Sequence, residues 1–211
     1  MRYNDFEYEG ETTGFFSKVP NGRGTAYYKD GARYEGEWVD GLRHGEGTYY
    51  FPNGSVYKGP FRNNLFHGVG RMNYKNGNYF IGEYVKGNRQ GKGELYYPNN
   101  QYIEGVYTEY WDNGRPTKPC MIIYRNGTRI YGYLDEDWNI TGHALAEYGD
   151  GVKYDGEMKS NYRHGYGKAT YKDGTVYEGY FVKGNREGRG KMTFPDGRIQ
   201  QGMFKDNKFV G

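Results

Sequence analysis

Cysteine is almost missing from this chain: Cys120 stands alone among 211 residues. A lone thiol closes no internal disulfide, so a stapled secreted scaffold is disfavoured and a reducing compartment is expected. Long apolar runs are missing too. The longest, Cys120 to Tyr124, is far too short to cross a bilayer, and Met1-Arg2-Tyr3-Asn4-Asp5-Phe6 carries no apolar signal core. Excess charge of one sign is also lacking. Lys and Arg number 29 against 26 Asp and Glu, net +3, which excludes a polycation that coats nucleic acid. Leu, Ile and Val are too few for a thick aliphatic core. The expected setting is the cytoplasm, and the sequons at Asn53, Asn126 and Asn139 are read as coincidence.

With 35% hydrophobic residues and a mean hydropathy of −1.07, composition alone would suggest disorder. The rings argue otherwise: 26 Tyr, 11 Phe and 3 Trp make up 19% of the chain, and 36 residues are Gly. Short strands, tight turns and rings in place of an aliphatic interior fit this composition.

Self-similarity dominates the sequence. Tyr34-Glu35-Gly36, Tyr57-Lys58-Gly59, Phe80-Ile81-Gly82 and Ile103-Glu104-Gly105 recur every 23 residues, and the beat returns at Tyr154-Asp155-Gly156, Tyr177-Glu178-Gly179 and Gln200-Gln201-Gly202. Ile130-Tyr131-Gly132 keeps phase only with insertions, and a leading unit starts at Tyr8-Glu9-Gly10. Asn-Gly or Asp-Gly closes most units, as at Asn53-Gly54, Asn76-Gly77, Asp173-Gly174 and Asp196-Gly197, which predicts a two-residue type I′ turn. Five residues after each anchor glycine of the regular units stands Gly or Asn (Gly41, Asn64, Gly87, Asn161, Gly184, Asn207), so a second turn is expected there. Two turns per unit imply one hairpin per unit. Strand alternation then gives each hairpin one face of rings and glycines and one polar face.

The run from Tyr34 to Gly47, closed by Asn53-Gly54, resembles a MORN repeat (membrane occupation and recognition nexus), as do the units from Tyr57, Phe80, Tyr154 and Tyr177. A Gly-x-Gly pair accompanies them at Gly22/Gly24, Gly45/Gly47, Gly68/Gly70, Gly91/Gly93, Gly165/Gly167 and Gly188/Gly190. It is broken at Gly114/Pro116 and Gly142/Ala144. The resemblance implies an all-β, elongated single-layer array of antiparallel β-hairpins, a rod or half-pipe. It also implies scaffold roles in cytoskeletal and ciliary proteins and at membranes, or an accessory role beside lysine methyltransferase or lipid kinase domains, of which no signature is present. One array over 1–211 is expected, regular over 34–102 and 154–211 and irregular over 1–33 and 103–153.

Enzyme chemistry finds little support. The Gly-x-Gly pairs lack the third glycine and the Gly-Lys-Ser/Thr of a phosphate loop. His44, His67 and His164 repeat at one position, but successive units stand ~10 Å apart, too far for one zinc. Glu9/Glu11 and Glu35/Glu37 have a carboxylate spacing compatible with inverting glycosidases, yet the positions vary freely between units. No catalytic residues, cofactor, metal or nucleic acid are expected.

Two binding surfaces are expected instead. Tyr34, Trp38, Tyr57, Phe61, Phe80, Tyr84, Tyr154, Tyr177 and Phe181 would form a partner groove, since a single sheet has no second layer to cover them. Arg43, Arg89, Arg163 and Arg186 would line an edge that meets anionic lipid headgroups or acidic proteins. The favoured reading is a non-catalytic scaffold for a protein partner, cytoskeletal or ciliary. The alternatives are a peripheral phospholipid-binding module and the accessory domain of an enzyme. Pro116 and Pro119 predict a loop or kink near 114–120, and the half unit at the end predicts an open edge that pairs two copies.

Overall fold

The computed structural model describes residues 3, 5–15 and 18–211. Among them the backbone forms twenty strands and no helix. Two compact units are present: residues 1–99 with 109–115, and residues 100–108 with 116–211. The first unit contains β1 (Phe6–Thr13), β2 (Val19–Tyr28), β3 (Arg33–Val39), β4 (Leu42–Tyr50), β5 (Val56–Arg62), β6 (Leu65–Phe66), β7 (Gly68–Asn73), β8 (Tyr79–Val85) and β9 (Asn88–Tyr96). β10 (Ile103–Asp112) begins in the second unit and ends in the first, and β11 (Arg115–Pro116) follows. The second unit continues with β12 (Cys120–Tyr124), β13 (Arg129–Leu134), β14 (Ile140–Glu147), β15 (Lys153–Lys159), β16 (Tyr162–Thr170), β17 (Val176–Val182), β18 (Asn185–Thr193), β19 (Ile199–Lys205) and β20 (Lys208–Phe209). Within each unit, successive strands pair antiparallel, except that β6 and β7 both pair with β5, and each unit is an all-β hairpin sheet one layer thick.

The two turns of a repeat differ, and the type I′ expectation belongs to the other one. At the Asn-Gly and Asp-Gly sites only the glycine has positive φ, as at Gly31 (87°) and Gly174 (87°). Tyr28 N donates to Ala32 O at 2.9 Å and Gly31 N to Tyr28 O at 3.0 Å, so the loop is a type I turn closed by a left-handed glycine. The preceding carboxylate or amide earns its place through an Asx turn: Asn53 Oδ1 accepts from Ser55 N at 2.9 Å. Both central residues have positive φ at the second turn, where Asp40 (48°) precedes Gly41 (78°) and Asn63 (49°) precedes Asn64 (70°). That turn also ties repeats together. Asn64 N donates to Arg43 O at 3.0 Å, and Asn64 Oδ1 accepts from Arg43 N at 2.9 Å. Asn161 and Asn207 repeat this pairing with Ile140 and Arg186.

Ring-on-glycine packing makes the core. The Tyr34 ring lies where a Cβ on Gly47 would be, within 2.5 Å of that position, and its hydroxyl donates to Glu37 O at 2.9 Å. Tyr57, Tyr154 and Tyr177 do the same over Gly70, Gly167 and Gly190. The register slips beside most anchor glycines, between Gly36 and Glu37 and between Gly179 and Phe181, and these bulges increase the local twist.

The irregular centre keeps the rules with altered spacing. Gly114 is not half of a broken Gly-x-Gly pair. Asn113 (46°) and Gly114 (85°) form the same turn as Asp40 and Gly41, two residues after Trp111 just as that turn follows Trp38. Trp111 is therefore the ring of a repeat lengthened by four residues, and the loop expected near 114–120 comprises this tight turn, the two-residue β11 and the non-strand residues 117–119. In the next repeat Ile130 replaces the anchor tyrosine. Ala144, 1% exposed, stands where regular repeats carry the second glycine, and its methyl lies 3.0 Å from where a Cβ on Gly132 would be. At the far end, β20 and the residues after it cover part of β19, with Val210 N donating to Met203 O at 2.9 Å.

Candidate interaction face

The nine rings expected to form a groove are the core. Tyr34, Trp38, Tyr57, Phe61, Phe80, Tyr84, Tyr154, Tyr177 and Phe181 are all 3% exposed or less. A second layer is unnecessary because each anchor ring is capped edge-on by the ring of the next repeat. Tyr8–Trp38 (5.3 Å), Tyr34–Phe61 (4.9 Å), Tyr57–Tyr84 (5.2 Å) and Phe80–Trp111 (5.1 Å) form one zigzag, and Tyr154–Phe181 (5.4 Å) with Tyr177–Phe204 (5.0 Å) forms another. A partner cannot reach these side chains without unfolding the repeat. Burial raises the Tyr34, Tyr57, Tyr84 and Tyr154 hydroxyls above the ordinary phenol range.

The arginine edge is corrected for the same reason. Arg43, Arg89, Arg163 and Arg186 are half-buried, with guanidinium groups lying over core rings. Arg43 faces Tyr49 at 4.8 Å, Arg89 faces Phe80 at 4.7 Å, Arg163 faces Phe181 at 5.1 Å and Arg186 faces Tyr177 at 5.7 Å. Three also donate to the turn of the following repeat: Arg43 to Asn64 O (3.0 Å), Arg163 to Gly184 O (3.1 Å) and Arg186 to Asn207 O (2.6 Å). Arg89 donates to the Tyr74 hydroxyl. These side chains clamp one repeat to the next, which removes the residues on which headgroup binding rested. Arg43→Met keeps an apolar stem but loses the fork, and is expected to cost about 1–3 kcal/mol in urea denaturation. Its sedimentation with phosphatidylserine vesicles should equal the parent's, and a vesicle-specific loss without destabilisation would restore the lipid edge.

The remaining candidates do not gather into a site. Among the described residues no group of three or more His, Cys, Asp or Glu is placed to hold a metal. Glu35 engages Arg33 at 3.1 Å and Glu37 approaches Arg23 at 4.0 Å, both on the polar strand face. Cys120 is fully buried, and burial pushes its thiol up to about 12, so it is protonated and unreactive.

What solvent does reach is the opposite strand face, and it differs between the units. In the first it is mainly hydrophilic: Thr25 pairs with Glu35 and Thr48 with Lys58, over a charged depression of about 530 Å³ that includes Glu9, Arg23 and Glu46, and its exposed apolar side chains Tyr27 and Val69 stand opposite Arg33 and Glu83. In the second, large apolar side chains stand among the charges. Tyr131, Tyr133, Leu145, Tyr166, Tyr180 and Met203 are 45–56% exposed, and Met121 stands opposite Tyr131. Cross-strand register joins Tyr131 to Leu145 and Tyr166 to Tyr180, whose rings meet edge-on at 5.6 Å. A depression of about 520 Å³ opens around Met121, Tyr131 and Leu145. The sequence held a partial signal for this face: Tyr166 and Tyr180 occupy positions that carry Glu46 and Glu37 in one repeat of the first unit and Val69 and Pro60 in the next.

The MORN repeat model matches residues 14–33, 34–56, 57–79, 80–102, 154–176 and 177–197, more than half of the chain. The chain belongs to the MORN-repeat family. Its MORN repeats fall in both units, and the stretch between 102 and 154 left unmatched holds the lengthened Trp111 repeat and the Ile130/Ala144 substitution. No curated protein sequence matches the chain. Similar solved structures include the SAS-4 (dCPAP) TCP domain of Drosophila melanogaster in complex with a proline-rich motif of Ana2 (dSTIL). It is 15% identical, with 76% of this chain and 85% of that chain covered and a TM-score of 0.47. The TCP10 domain of Danio rerio CPAP in complex with a STIL peptide is 16% identical, with 97% and 98% covered and a TM-score of 0.28. The same wild-type domain without the peptide is 19% identical, with 87% and 94% covered and a TM-score of 0.32.

Proposed function

We propose that this MORN-repeat chain is a non-catalytic interaction module that binds a protein partner through the solvent-facing strand face of its second unit. One observation carries the reading: six large apolar side chains at 45–56% exposure share one sheet face of the second unit, with Tyr166 and Tyr180 in edge-on contact, where the first unit has mainly charged and hydroxyl side chains interrupted by Tyr27 and Val69. Exposed apolar surface of this extent is costly in water and marks a docking surface. Tyrosine suits the role because it offers ring area and a hydroxyl while losing little entropy. The partner is placed at cytoplasmic, cytoskeletal structures, the setting in which MORN repeats commonly serve as scaffolds.

Photocrosslinking tests this in cells. p-Benzoylphenylalanine at Tyr131 or Tyr166 should capture one discrete polypeptide, identified by mass spectrometry, and the same group at Glu35 should not. Tyr166→Ser/Tyr180→Ser should abolish the capture while leaving the melting temperature within a few degrees, because both rings are half exposed. Equal capture from Glu35, or turnover of a substrate by the purified chain, would refute the proposal.

A further inference from the structure

We infer that this face, taken as the docking site proposed above, accepts an acidic protein segment with apolar anchors, seated across β16 to β19. The argument starts from what surrounds the exposed tyrosines. A depression of about 570 Å³ is lined by Tyr166, Glu178, Tyr180, Arg189, Lys191 and Met203. Cross-strand register fixes their order: Tyr166 faces Tyr180, Arg189 faces Met203, and Lys191 faces Gln201. Its one carboxylate, Glu178, is engaged by Lys168 at 3.7 Å. Arg189 and Lys191 are exposed, two residues apart on one side of β18, and have no ion-pair partner among the described residues. Rings and a thioether therefore flank two positive charges, with one carboxylate, Glu178, standing between Lys168 and Lys191 across the strands.

The clamp arginines show the contrast. Arg186, three residues before Arg189, is held by Tyr171, Tyr177, Phe204 and the Asn207 carbonyl, whereas Arg189 and Lys191 are exposed without an ion pair among the described residues, Lys191 standing across from Glu178, which Lys168 engages from the other side. Charge complementarity then sets the occupant: carboxylates over β18, with apolar side chains over the Tyr166/Tyr180 pair and Met203. Four strands at ~4.8 Å spacing span ~15 Å, matching ~4–5 residues of extended peptide at ~3.3 Å each. A membrane surface fits less well, because it would also meet Glu147, Asp155 and Glu157 on β14 and β15, which a short segment over β16–β19 does not reach.

Fluorescence anisotropy with three synthetic octapeptides decides the matter. They share alternating Leu and Tyr and differ only in the interleaved residue, which is Glu, Gln or Lys. The full chain should bind the Glu peptide about tenfold or more tighter than the Gln peptide in low salt, with the gap shrinking near 0.3 M salt. Arg189→Glu/Lys191→Glu should lose about tenfold toward the Glu peptide and gain toward the Lys peptide, with an unchanged circular dichroism spectrum. Equal binding of the Glu and Gln peptides overturns the inference, as does an indifferent charge-reversal variant or no peptide binding at all. Binding to phosphatidylserine vesicles through Arg189 and Lys191 in place of the Glu peptide overturns it too. A polypeptide crosslinked at Tyr166 but insensitive to charge reversal leaves the proposed function standing and removes only the acidic partner. No crosslinked polypeptide removes both.

Discussion

Trp111→Ala is expected to lower the stability of the first unit by about 3–5 kcal/mol, the range for deleting a large buried aromatic. The ring is 2% exposed, meets Phe80 edge-on at 5.1 Å and donates from Nε1 to Gly93 O at 2.8 Å. Trp38 makes the same bond to Gly24 O at 3.2 Å, so Trp111 closes the ring zigzag of that unit as Trp38 does near its start. The Arg89 guanidinium also lies over the ring, 5.4 Å from its centroid. Urea denaturation followed by far-ultraviolet circular dichroism measures the cost, since tryptophan emission would be altered by the substitution itself. Trp111→Phe retains the edge-on contact and should recover part of the loss. A cost under about 1 kcal/mol, the size of an ordinary surface substitution, would mean the lengthened repeat does not serve as a core element.

Gly70→Ala is the second large effect. A Cβ at Gly70 would stand 2.3 Å from the Tyr57 hydroxyl oxygen and 2.6 Å from its ring. That ring cannot step aside, because it is fully buried against Phe61, Phe66 and Tyr84. Overpacking of this kind costs about 1–3 kcal/mol, more where the backbone has to move. The chain itself combines the two changes, with Ile130 at the anchor position and Ala144 in place of the second glycine, both buried. Tyr57→Ile alone should cost about 2–5 kcal/mol through lost ring contacts and a cavity. Combined with Gly70→Ala, the total should fall short of the sum by at least about 1 kcal/mol, a coupling typical of residues in contact. Strict additivity would show that ring-on-glycine contact does not explain the Tyr-x-Gly and Gly-x-Gly pattern.

Much of the fold was legible in the residues. The 23-residue period, the turn glycines and asparagines and the alternation of rings with polar side chains lead to a helix-free hairpin sheet, because each rests on local backbone geometry. The same signals misplaced the type I′ turn. Asn-Gly suits two turn classes, and the choice depends on the hydrogen bonds of the flanking strands, as Tyr28 and Ala32 show. Trp111 was hidden because its four extra residues put it out of phase, so only pairing with Phe80 and Gly93 reveals its position. The candidate site was the least legible part. Rings and arginines drew attention by their chemistry, yet a ring that is 2% exposed and a guanidinium stacked on it have already used their binding capacity within the chain.

From its residues alone, then, this protein is a MORN-repeat array of antiparallel hairpins with one ring-lined face, since turn geometry and strand alternation are properties of neighbours along the chain. Tertiary structure alone decided which face remains open. Bulges at the anchor glycines let each repeat lay its ring over the glycines and against the next repeat, so the ring-lined side closes on itself. The side chains that alternation had assigned to the polar face, Tyr131, Leu145, Tyr166, Tyr180 and Met203 with Arg189 and Lys191, are left to meet a partner.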